Sequence, residues 1–168
     1  MSDFSPEVPQ NTILVLALGN DVMGDDAIAL HAARELRSLF PSGVTIREAA
    51  VGGFELLELM EGYGHALIID AIVAGSPPGT IHLLSPDNFR TVVAGSPHYV
   101  GLPEVLQLAE RLGIPFPADI RILAVDVRDP YEIRESLSPE AAAALPAIIG
   151  KASSILREWL ITPQQTAS

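Results

Sequence analysis

Two adjacent carboxylates, a third carboxylate inside an apolar run, and one histidine mark where this sequence could do chemistry. Asp25 and Asp26 follow Gly19-Asn20 in "LALGNDVMGDDAIA". Asp70 is embedded in "HALIIDAIVAG", and His98 stands in "SPHYVG". Two carboxylates and a histidine suit a divalent metal: the oxygens supply negative charge and the imidazole a neutral nitrogen. A fourth position left open would take a water or a substrate group. Such a centre could polarise a carbonyl, or an aspartate could act as general base on a water.

Each of these residues also has a plainer role. Asp25 is placed to cap a helix, and Asp26, in its first turn, would suit the helix dipole as well as a metal. Asp70 is harder to explain without function, because a carboxylate within "ALIIDAIV" needs partners to offset its desolvation. His98 taken alone is an ordinary loop histidine. Gly52-Gly53 could open a helix or let a peptide backbone approach closely. His31, His65 and His82 read as surface or strand-end residues, and Asp21, Asp126 and Asp129 as turn residues.

The elements that must position these groups follow from the hydrophobic pattern. Thr12–Leu18 is short and apolar and predicts a buried strand. A helix from Asp26 to about Phe40 would take Asp25 as its N-cap and bury Ile28, Ala32, Leu36 and Leu39. Val44–Ala50 predicts a second strand, and the run after Gly52-Gly53 a short helix ending near Gly62-Tyr63-Gly64. "HALIIDAIVAG" predicts a central third strand. "TIHLLSP", beyond the turn "GSPPG", predicts a fourth, hairpin-linked to the third. Leu102–Leu112 is helical in pattern and Ile120–Val125 a fifth strand. A last helix runs from Pro139 to about Leu160, with Ser138 as N-cap and Pro146 as a potential kink. This alternation predicts an α/β fold: a three-layer α/β/α sandwich around a twisted, mostly parallel five-stranded sheet. Residues 1–168 read as a single domain with flexible tails at 1–10 and 162–168. Ligands of open α/β sheets bind beyond the carboxyl ends of the strands. Asp26, Gly52-Gly53 and the Ser96-Pro97-His98 segment follow strands and Asp70 sits near the end of the third, so the candidates converge on one rim.

Composition narrows the function classes. The chain has 168 residues, 48% of them hydrophobic, with a formal net charge of −11. Such acidity would repel phosphate backbones, and Lys151 is the only lysine, so nucleic acid is an unsuitable partner. The absence of cysteine excludes disulfides, cysteine metal sites and thiol nucleophiles. No apolar run reaches the ~18–20 residues that span a bilayer. The opening "MSDFSPEVPQN" carries no secretory n-region. A cytoplasmic protein without membrane insertion is the expectation.

These motifs, taken in order, resemble the hydrogenase maturation endopeptidases. "LALGNDVMGDDAIA" is similar to the family's opening signature, and the likeness continues through "GGFELLE", "LIIDAIVAG", "PGTIHLL" and "SPHYVGLPEVL". By motif it covers roughly residues 12–125, and by length and element order the whole chain. The resemblance implies a hydrolase, classed with aspartic-type endopeptidases. Such an enzyme removes a C-terminal extension from the large-subunit precursor of a nickel–iron hydrogenase after nickel insertion. It implies metal contact by Asp26, Asp70 and His98, with Asp25 as a neighbouring candidate and Gly52 and Gly53 near the substrate. The metal would be nickel carried by the precursor, no organic cofactor is implied, and a monomer is the simpler expectation. Two departures stand out: the implied metal ligand Asp26 is an aspartate where some relatives have glutamate, and the loop after the second strand differs. The loop after the second strand reads "EAAVGG", where relatives usually have an acid, glycines and often a threonine.

Two rivals make different demands. A receiver-type phospho-acceptor domain also has an acidic pair after strand one and an aspartate on strand three. It needs a lysine after strand five, where "AVDVRDP" offers Arg128, and its acidic pair belongs at the strand end. A non-catalytic nickel-binding accessory protein would fit the trio but lacks a histidine-rich tract.

Overall fold

The computed structural model describes residues 12–52, 54–88 and 102–162. The first element is β1, Ile13–Leu18, in which every residue is buried. A continuous apolar run of this kind has both faces covered, as in parallel sheets with helices on either side. A 3-10 turn, Gly24–Ala27, leads into α1, Ile28–Leu39. Next come β2, Val44–Ala49, α2, Phe54–Met60, and β3, His65–Ile72. The described elements then run β4, Ile81–Leu84, α3, Leu102–Leu112, β5, Asp119–Asp126, and α4, Pro139–Ile161.

Among the described residues the sheet has five strands, in the order β2-β1-β3-β5-β4. β1 pairs parallel with β2 and β3, β3 pairs parallel with β5, and only β4 runs antiparallel, against β5. Alternation along the strands sorts the core into two layers. Val15, Ala17, Leu67, Ile69, Leu123 and Val125 face α1 and α4, where Ile28, Leu36, Ile148 and Leu156 meet them. Leu14, Leu16, Leu18, Ile68 and Ile122 face α2 and α3, against Leu56, Met60 and Leu106. The expected three-layer α/β/α sandwich is therefore present.

Three local expectations are corrected. β4 is not hairpin-linked to β3, because β5 lies between them. β3 is buried along seven of its eight positions and needs a long apolar partner on its second edge. The eight-residue β5 matches it residue for residue from His65↔Asp119 to Ile72↔Asp126, whereas β4 is four residues long and half-buried. The stretch 24–27 is a 3-10 turn, so α1 starts at Ile28 and Asp25 does not cap it. Leu39 does not share the buried face and is 52% exposed. Ile28, Ala32 and Leu36 do share it.

The far helix matches its sequence signals. Ser138 caps α4, its Oγ accepting from the Ala141 amide at 3.2 Å, with Pro139 in the first turn. The helix continues through Pro146. Of the expected tails, only Thr162 falls among the described residues. Its hydroxyl donates to the Glu158 carbonyl at 2.7 Å and closes α4. Among the described residues no helix is long and apolar enough to cross a membrane.

Candidate active site

The carboxyl end of β1 turns back on itself through a close backbone approach. A Cβ at Gly19 would overlap the Asp26 carbonyl oxygen, so only glycine admits this fold-back. Asn20 then organises the loop. Its amide donates to Asp26 Oδ2 at 2.9 Å, its Oδ1 accepts from Val22 at 3.1 Å, and its carbonyl accepts from Met23 at 3.1 Å. Gly24, with φ of +46°, donates to the Arg134 carbonyl at 2.9 Å, which ties the turn to the loop before α4. The Gly19-Asn20 signal is thus the device that holds the half-buried Asp26 on the rim. Gly19→Ala should cost about 1–3 kcal/mol of stability through overpacking against backbone. It should also displace Asp26, so that catalytic activity falls further than the folded fraction. Urea melts and activity measured on one preparation would check this.

Asp25 points elsewhere. Its Oδ1 accepts from the Ser138 amide at 2.6 Å and its Oδ2 from the Ser138 hydroxyl at 2.7 Å. The residue is only 6% exposed. It therefore anchors the first turn of α4, while α1 begins without a side-chain cap. Adjacent carboxylates have separate duties here. Asp25 is spent on Ser138, and Asp26 is held over the end of β1.

Asp70 is the sixth residue of β3 and has no exposed surface. Alternation puts it on the face of Leu16, Leu18 and Ile68, in register with Ala124 of β5. The 3-10 turn bearing Asp26 packs against β3, so both carboxylates reach the same end of the sheet. Gly52 lies half-buried beyond β2 on that end. Gly53 and His98 lie outside the described residues. Among the described residues no three His, Cys, Asp or Glu side chains are grouped to hold a metal ion. Asp26 and Asp70 supply hard, anionic oxygen donors. That donor chemistry suits a divalent cation or a polarised water, with a third ligand required from elsewhere.

The rim holds further polar contacts. Asp21 forms an exposed ion pair with Arg34 at 2.9 Å, and Arg34 also reaches Glu48 at 3.1 Å. The acid of the "EAAVGG" loop is thereby engaged with α1. Asp129 is the turn residue expected, accepting from the Tyr131 amide at 2.8 Å. Asp126 is not a turn residue. It ends β5, is 1% exposed, and accepts from His82 Nε2 at 2.7 Å and from the Ala74 amide at 2.7 Å. His82, assigned to the surface or a strand end, is instead half-buried and committed to this pair. The signal that would have found it was present: "ILAVD" ends an apolar run on an aspartate, as "ALIID" does.

A family model described as hydrogenase maturation protease matches residues 30–155, well over half of the chain. The chain belongs to the hydrogenase maturation protease family. It is a peptidase, and its relatives agree along most of their length. The protease is 32% identical over 151 residues to the hydrogenase 2 maturation protease of Escherichia coli, covering 87% of this chain and 91% of that one. Its fold is similar to the solved structure of the hydrogenase maturating endopeptidase HybD from Escherichia coli. That match has a TM-score of 0.73 and 31% identity, over 88% of this chain and 93% of the other. A second match is the [NiFe] hydrogenase maturation protease HybD from Thermococcus kodakarensis, at TM-score 0.68 and 26% identity, over 86% and 99% of the two chains. Membership in a protease family removes the receiver-domain alternative.

Proposed function

We propose that this protease removes the C-terminal extension of a nickel–iron hydrogenase large-subunit precursor, and that it does so after nickel has been inserted. The observation that carries the proposal is Asp70, a carboxylate held with no exposed surface at the sheet end where Asp26 is also placed. Keeping a carboxylate at a position without exposed surface carries a desolvation cost, and a site that receives a cation at work gives the residue a use. Asp26, Asp70 and His98 would contact the nickel that the precursor carries. That contact would report loading and would fix the extension against the rim. Gly52 and Gly53 would let the extension's backbone pass close to the end of β2. The metal belongs to the substrate in this scheme, and the chain needs no organic cofactor. The protease would act as a cytoplasmic monomer.

Nickel-loaded and nickel-free precursors, each incubated with the protease and read by intact mass, test the proposal. Loss of the extension from the loaded form alone is the expected result. Equal cleavage of both forms would remove nickel from the recognition step. Cleavage of neither would overturn the assignment of substrate. A non-catalytic nickel carrier would bind the metal tightly in isolation and leave both precursors intact.

A further inference from the structure

We propose that His82, oriented by Asp126, is a further catalytic residue that carries a proton between the attacking water and the leaving amine. The proposal rests on the peptide cleavage set out above. Three observations support it.

The first is the chemistry of the pair. Asp126 is almost completely buried and spends one oxygen on the Ala74 amide and the other on His82 Nε2, each at 2.7 Å. An ionised carboxylate only accepts, so the imidazole must present its proton at Nε2. The lone pair of the neutral ring is then on Nδ1. A carboxylate behind a histidine fixes the tautomer and ring orientation, and it stabilises the imidazolium once a proton arrives.

The second is that the ring has been left available. Among the described residues Asp126 is the sole hydrogen-bond partner of His82, and the side chain is 22% exposed. If the only task were to fasten β4 to the loop after β3, a neutral polar residue at 126 would avoid the desolvation of a carboxylate.

The third is position. His82 pairs with Ala124, and Ala124 pairs with Asp70. The three form one row across β4, β5 and β3, with their side chains on the same face. Neighbouring strands lie about 4.8 Å apart, so the Cα atoms of Asp70 and His82 are separated by roughly 10 Å. The side chain between them is a single methyl. Asp70 and Ala124 are fully buried and His82 is partly exposed, so the row leads from the buried carboxylate to the accessible imidazole.

The step balances. The water oxygen bonds to the scissile carbonyl carbon and gives a proton to Nδ1. The carbon–nitrogen bond then breaks, and the proton passes from Nδ1 to the amine nitrogen. One water is consumed, His82 returns to its starting state, and no redox partner is needed.

The test uses the full chain and nickel-loaded precursor, comparing wild type with His82→Gln and His82→Ala. Rates and KM come from intact mass, and folding from circular-dichroism melts. Both variants should lose about 100-fold or more in maximal rate, within the usual range for a general acid–base, with KM unchanged. Added imidazole should restore part of the rate to His82→Ala and none to His82→Gln. The glutamine amide can still donate to Asp126, so that variant keeps the tie to β5 while being unable to carry the proton. Wild-type rates in His82→Gln would overturn the proposal. So would a loss that follows the folded fraction and ignores imidazole. Failure of the wild-type protein to cleave would instead defeat the underlying substrate assignment, and this proposal with it.

Discussion

Asp70→Asn should abolish most precursor cleavage, by about 10³-fold or several kcal/mol of barrier, while leaving the fold intact. The change keeps volume and shape at a position with no exposed surface. It removes the negative charge and puts amide hydrogens where only acceptor oxygens stood. A cation approaching from the substrate would meet a donor instead of an anion. Stability should hold or rise, because a neutral amide costs less to bury than a carboxylate. A variant that is inactive yet melts at or above the wild-type temperature would show that the wild-type residue is kept for function at some cost in stability. Cleavage at the wild-type rate would remove Asp70 from the site.

Asp25→Ala should have the opposite profile, with its largest effect on folding. The wild-type carboxylate takes two short hydrogen bonds from Ser138, at 2.6 and 2.7 Å. Removing it leaves a half-buried amide and hydroxyl without their acceptor. Hydrogen bonds to a charged group contribute about 1.5–3 kcal/mol each, and an orphaned donor costs about 1–3 kcal/mol, so a loss of about 3 kcal/mol is expected. Urea titration gives the number. The partner variant Ser138→Ala removes the same hydroxyl and also the cap bond to Ala141. The double variant should therefore lose less than the sum of the two singles. A loss within about 0.5 kcal/mol for Asp25→Ala, the level of ordinary surface substitutions, would mean the tie contributes nothing.

The parts of the fold legible in the sequence were those set by short-range pattern. "ILVLAL" and "HALIIDAI" are apolar throughout and became the buried β1 and β3. Ser138-Pro139 marked the start of α4, and Gly19-Asn20 marked a turn. What stayed hidden depended on partners far along the chain. Asp25 resembles a cap for the helix that follows it, yet its partner is 113 residues away. A local signal cannot rank a neighbour in sequence against a neighbour in space. The pairing of β4 was hidden for a related reason. A turn such as "GSPPG" permits a hairpin, and only the demand of β3 for a longer apolar neighbour excludes it. Asp126 carries the same signal in the sequence as Asp70. The desolvation that made Asp70 conspicuous applies equally to an aspartate ending "ILAVD".

The insertion of β5 between β3 and β4 sets an order of events during synthesis. When the ribosome has made β1 through β4, the strand carrying Asp70 still has one bare edge, open to pairing with another chain. It stays open until residues 119–126 have emerged. The Asp25–Ser138 tie must wait still longer. The nascent protein therefore holds Asp70 on an unfinished sheet for the time needed to add some fifty further residues, a few seconds at ordinary translation speeds. A chain stopped before β5 should aggregate rather than persist as a smaller, idle protease.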